Sequence, residues 1–153
     1  MNRVILEFIL FNVIFLSFIV FLTYYLYNYI LKKKKKDTVS FSSYINQGNI
    51  PPIKSVIVGL IFGIVFGFID NFGLWMGLNH IEKYLPGGLL TKSGIGNIYS
   101  DFIGVVLGTS ISIIAKELID YNNDDQPLWV NTIGIVIGCI LGMFIGILLT
   151  GKN

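Results

Sequence analysis

Four long stretches of the chain are apolar with almost no polar interruption, and their length is more informative than any periodicity within them. They cover Val4 to Leu31, Ile53 to Gly77, Ile98 to Ile119 and Leu128 to Thr150. A hydrocarbon core about 30 Å thick is crossed by roughly 20 helical residues, so each stretch predicts a membrane-spanning helix. Between them lie "DTVSFSSYINQGNIPP", "KYLPGGLLTKSGIGN" and "DYNNDDQP", whose prolines, glycines and Asn/Asp clusters predict loops. Pro51 and Pro52 suit a helix start, where a missing amide proton is tolerated. Asn97 or Ser100 is the expected cap of the third helix. The reading is an all-α integral membrane protein with four transmembrane helices. Residues 1–36 form an N-terminal anchor helix with a polybasic end, 37–52 a polar linker, and 53–153 a three-helix, glycine-rich membrane bundle.

A second pattern lies inside the apolar stretches. Gly59, Gly63 and Gly67 recur every four residues in the second, Ser100, Gly104, Gly108 and Ser112 in the third, and Gly134, Gly138, Gly142 and Gly146 in the fourth. Residues four apart share a helix face, so each of these helices is expected to carry a flat stripe along which another backbone can approach closely. Lipid tails are as apolar as leucine, and helix association in a bilayer therefore rests on such packing. The stripes suit contacts within one chain or between copies; a stripe left over would favour a homo-oligomer. The first stretch has no glycine, is rich in Phe, Ile and Leu, and ends in Tyr24, Tyr25, Tyr27 and Tyr29 beside lysines. Bulky apolarity suits a lipid-facing helix, and tyrosines suit the headgroup level.

Polar residues inside the apolar stretches are the candidates for function. Asp70 and Asn71 interrupt "GFIDNFGLWMG", and the spacing D-x-x-G-x-x-x-G of Asp70, Gly73 and Gly77 recurs at Asp101, Gly104 and Gly108. Asp70 precedes Gly77 by about 10 Å of helix, and Asp101 is expected in the first turn of the returning helix, so both belong to one half of the membrane. A first-turn Asp101 is explained by the helix dipole. Asp70 is harder to explain, because a carboxylate in mid-membrane costs about 2.5–3.5 kcal/mol and faces a bundle interior, water or a partner. A helix break at Asp70–Asn71 would make both interfacial. Asn71 continues the Gly59, Gly63, Gly67 stripe and is expected to hydrogen-bond across a helix contact. Lys83, Lys92, His80 and Glu82 are near enough to complete a charged mouth. Glu7 and Asn12 of the first helix are weaker candidates, since Glu7 can snorkel to the membrane edge.

Composition narrows the functional classes. Hydrophobic residues make up 54% of the chain and charged ones only 13%, which excludes an ordinary soluble domain. Cys139 is the only cysteine, so neither an intrachain disulfide nor a thiolate metal cluster can form. His80 and Glu82 lack further ligands at metal-site spacing. No Walker loop, dinucleotide fingerprint, zinc-protease helix or nucleophile elbow occurs. No metal, no cofactor and no enzymatic activity are expected. Lys32, Lys33, Lys34, Lys35 and Lys36 directly follow a spanning helix, where contact with anionic lipid headgroups is a better reading than nucleic acid. The lysine bias places the 32–52 and 119–127 loops in the cytoplasm and both termini on the other side. The first stretch is too long for a cleaved signal core and is expected to be retained.

Residues 69–109, "IDNFGLWMGLNHIEKYLPGGLLTKSGIGNIYSDFIGVVLGT", resemble small multi-pass membrane proteins encoded by large DNA viruses of algae and protists. The similarity lies in the IDN-x-G-L-W-x-G segment, the Gly-Asn/Ser-Asp-x-x-G segment and the glycine-rich helices. It implies residence in a viral or host membrane, with viral structural proteins as partners, and assigns no activity to particular residues. The expected function is a structural or assembly role in a membrane. The alternative is a small oligomeric cation channel or transporter with an acidic mouth at Asp70 and Asp101.

Overall fold

The computed structural model of the chain describes residues 3–48, 51–121 and 126–151. Among these residues five α-helices follow one another: α1 Arg3–Lys33, α2 Phe41–Asn46, α3 Ile53–Ile81, α4 Leu89–Leu118 and α5 Leu128–Thr150, with one 3₁₀ turn at Glu82–Tyr84. No strand occurs among the described residues. All backbone pairing is therefore internal to helices and turns, as a chain in hydrocarbon requires. Among the described residues four helices, α1, α3, α4 and α5, are long and apolar enough to cross a membrane.

The chain divides into two compact units, Met1–Tyr44 and Ile45–Asn153. In the first, α1 is exposed along its spanning stretch, with Phe8, Phe11, Ile14 and Phe18 among its outward side chains. Lipid rather than water is the solvent such a surface suits. The helix ends without a glycine. Lys36 N–H donates to Leu31 C=O and Lys35 N–H to Lys32 C=O, at 2.9 and 3.0 Å, which turns the chain back through a left-handed Lys35 (φ 55°). A left-handed lysine costs about 1–2 kcal/mol. Aromatic packing and hydrogen bonds across the turn offset it. Phe41 stacks on Phe21 with ring centroids 4.9 Å apart, and Tyr44 contacts both Tyr24 and Tyr27. The expected 37–52 linker thus contains a short helix, and its Phe and Tyr side chains pack.

In the second unit α3 is the shared element: α5 packs on one of its faces and α4 on another, with no comparable contact between α4 and α5. On the α5 side the approach is backbone to backbone. A Cβ at Gly63 would fall 2.5 Å from Asn131 C=O and 2.7 Å from Ile135 N, and one at Gly67 would meet the Ile135 carbonyl. From the other helix, a Cβ at Gly134 would lie 2.9 Å from Leu60 C=O, at Gly138 against Ile64 C=O, and at Gly142 2.5 Å from Phe68 C=O. Gly59 faces Asn131 and Val130, and Gly146 faces the Trp75 ring. Trp75 Nε1 donates to Thr150 Oγ1 at 2.9 Å and closes that end of the pair.

The α4 side is built differently. Gly96, Ser100, Gly104, Gly108, Ser112 and Ala115 form its buried stripe. Gly104 and Gly108 receive Phe66 and Phe62, whose rings stack on each other 6.1 Å apart. The α3 and α5 stripes meet each other, and the α4 stripe meets the Phe62 and Phe66 face of α3.

Two expectations about helix limits are corrected. The third helix begins at Leu89 rather than Ile98, because only Pro86, Gly87 and Gly88 break the chain: Gly87 is left-handed (φ 88°), and Gly88 is the N-cap. Gly94 and Gly96 are helical, so Asn97 and Ser100 lie well inside α4 and cap nothing. The second helix runs through Ile81, unbroken at Asp70 and Asn71. The connection between the two helices is accordingly reduced to 82–88, from the whole interval between Gly77 and Ile98.

Candidate functional site

The longer helices change the depth of the aspartates. At 1.5 Å per residue, Asp70 stands about 16 Å from the end of α3 at Ile81, and Asp101 about 18 Å from the start of α4 at Leu89. Asp101 is therefore not a first-turn residue, and the helix-dipole account of it falls. The two carboxylates lie in one layer, inside the apolar spans.

They meet across the α3–α4 seam. Ser100 Oγ donates to Asp70 Oδ1 at 3.0 Å, and Asp101 comes within interaction range of Asp70. Asp101 Oδ2 accepts from Asn97 Nδ2 at 2.8 Å, one turn earlier on the same helix. Ser100 is 1% exposed, while both aspartates are half-buried. The seam has room for them because Gly73 lies opposite: a Cβ there would be 3.1 Å from Ser100 Cβ. Asp70, Ser100, Asp101 and Asn97 thus form one polar cluster, of which only the two aspartates stand out in the sequence. Ser100 belongs to the α4 stripe and is read there as a small residue, although its hydroxyl faces the carboxylate. Asn71 is on the other face of α3, towards Cys139 of α5.

His80, Lys83, Glu7 and Asn12 find partners on their own elements. His80 Nδ1 is 3.0 Å from Met76 C=O on its own helix, and Lys83 Nζ lies over the Tyr84 ring at 4.8 Å. The Glu82 side chain lies outside the described residues. In α1, Glu7 accepts from Arg3 Nε at 2.7 Å and Asn12 donates to Phe8 C=O at 2.8 Å, so each is paired within its own helix. Among the described residues no group of three or more His, Cys, Asp or Glu is placed to hold a metal ion.

A second polar region, missed in the sequence, lies at the opposite end of the unit. Thr109, Ser112 and Lys116 of α4, Gln126, and Asn131 of α5 line a crevice of about 230 Å³ together with Phe62 and Ile113. The α4 residues fall within one face at helical spacing, which is the signal the sequence does carry. Asn131 Oδ1 is buried against Gly59 with no hydrogen-bond partner among the described residues. Between this crevice and the aspartate cluster, Phe62 and Phe66 fill the seam against Gly108 and Gly104.

No family model, no curated protein and no solved structure matches the chain.

Proposed function

We propose that the protein is a non-enzymatic multi-pass membrane component with a structural or assembly role, built around a rigid α3–α5 pair. The observation that carries this reading is the backbone-on-backbone contact of Gly63 and Gly67 with α5 and of Gly134, Gly138 and Gly142 with α3, which holds two helices in one fixed geometry and presents an outer apolar surface. The lysines at 32–36, 54 and 116 support an orientation with the 32–52 and 119–127 loops in the cytoplasm. The resemblance of residues 69–109 to small viral membrane proteins extends the proposal to a viral or virus-modified membrane.

A cation channel is the second reading, favoured by the meeting of Asp70 and Asp101 within the membrane layer. Acidic groups at close quarters select cations. Phe62 and Phe66 oppose it by occupying the seam beyond. Cation flux through liposomes holding equal amounts of the native chain and of Asp70→Asn separates the two. The structural reading expects no flux from either. Flux from the native chain that falls on substitution would establish the channel instead.

A further inference from the structure

A donor-lined cavity in the first unit takes no part in that proposed role. It is an open crevice of about 290 Å³ lined by Tyr24, Tyr25, Asn28, Tyr29, Lys32, Thr38 and Val39. Its floor is the last two turns of α1. Tyr25, Asn28, Tyr29 and Lys32 fall at i, i+3, i+4 and i+7, so all four share one helix face. Its wall is the segment that the left-handed Lys35 turns back along the helix.

That wall is held in place. Val39 N–H donates to Asn28 Oδ1 at 2.9 Å, while Asn28 Nδ2 and Tyr24 OH donate to Val39 C=O at 3.2 and 3.1 Å. One backbone position is thus gripped at both its polar atoms. Ser40 then accepts from Ser43 N–H at 3.1 Å and caps α2, which brings Phe41 onto Phe21 and Tyr24. With Tyr24 and Asn28 committed to the wall, the side chains of Tyr25, Tyr29, Lys32 and Thr38 remain as donors without a partner among the described residues.

We propose that this pocket binds the phosphate of an anionic glycerophospholipid, with Lys32 Nζ, Thr38 Oγ1 and the tyrosine hydroxyls donating to its oxygens. The pocket stands at the end of the Leu6–Lys33 span, where the headgroup layer of a bilayer begins. The tyrosine rings offer apolar surface to the glycerol and first methylenes, while their hydroxyls face the wet side. Charge complementarity fixes the sign. Lys32 to Lys36 carry no ion pair with a described residue, and Asp37, the one acid from 32 to 48, is not in the lining. What distinguishes this from diffuse attraction by a lysine run is that one lysine of five lies in the pocket, with uncharged donors beside it.

The test is native mass spectrometry of the delipidated full chain in detergent, offered equal amounts of phosphatidylglycerol and phosphatidylcholine. The native chain should retain phosphatidylglycerol in at least fivefold excess. Lys32→Gln should lower that retention about fivefold, the effect of one lysine near a charged headgroup, and Lys36→Gln less than twofold. Thr38→Val and Tyr29→Phe, which remove hydroxyls without changing charge, should each lower it by twofold or more. Equal loss from Lys32→Gln and Lys36→Gln, or no loss from the two uncharged variants, would reduce the contact to diffuse electrostatics and overturn the proposal. Equal retention of phosphatidylcholine would also overturn it. Displacement of phosphatidylglycerol by millimolar inorganic phosphate would assign the pocket to a free anion and overturn the lipid as its occupant.

Discussion

Along α3, Gly63 and Gly67 bring backbone against the backbone of α5, whereas Phe62 and Phe66, on the face turned to α4, bring rings against Gly108 and Gly104. The first contact leaves no atom that can move aside without moving a helix. In the second, a Cβ at Gly104 would be 3.2 Å from a ring carbon and from Phe66 C=O, and a Cβ at Gly108 3.3 Å from Phe62 C=O. A ring can turn, and a seam packed by rings can accept a polar pair. That is where Asp70 and Ser100 lie. Two helices can therefore dock on one central helix under different rules, one rigid and one adaptable, and the ionisable groups belong to the adaptable side.

The comparison is broken most directly at Gly138. Replacing it with Leu drives a side chain into Ile64 C=O and Phe68 N, and the loss should exceed about 3 kcal/mol, the upper end of ordinary overpacking costs. Thermal unfolding in detergent reads it; a native midpoint would sink the backbone-contact account.

The matched pair Gly63→Ala and Gly104→Ala sharpens the contrast. The same methyl group should cost about 1–3 kcal/mol at Gly63, where backbone atoms stand at 2.5 to 2.8 Å, and less at Gly104, where a ring carbon and a carbonyl stand at 3.2 Å. Equal losses would mean that the two interfaces do not differ in kind. The smallest effect is expected from Ser100→Ala, about 0.6 kcal/mol, the average for a hydrogen bond between membrane helices. A loss several times larger would show that Asp70 has no other means of being accommodated in the seam.

The limits of α5 were legible in full, since Leu128 to Thr150 has Pro127 before it and left-handed Gly151 after it. The start of α4 was not. Gly94, Gly96 and Asn97 resemble the Pro86, Gly87, Gly88 turn that precedes them, and a sequence does not say which glycines bend the chain and which receive a neighbour. Gly96 receives Leu74, with a Cβ there only 3.1 Å from its Cδ1. That misreading moved Asp101 to a helix end and hid its depth. Asp70 was conspicuous because charge in an apolar stretch is rare, but its partner Ser100 was hidden among small residues chosen for packing. Asn131 and Gln126 were lost for a related reason, as they flank an acidic turn and only the three-dimensional crevice relates them to Lys116.

The central position of α3 also has a consequence for the order of synthesis. When α4 leaves the ribosome its partner is already in place, and the ring-packed seam can form at once. The tighter pairing must wait until α5 has been made. Throughout that interval the groove at Gly59, Gly63 and Gly67 is bare, and a neighbouring nascent chain's α5 fits it as well as the chain's own. The connection from α4 to α5, only residues 119–127, keeps the cognate helix at high local concentration, and so guards the nascent protein against exchanging helices with its neighbours.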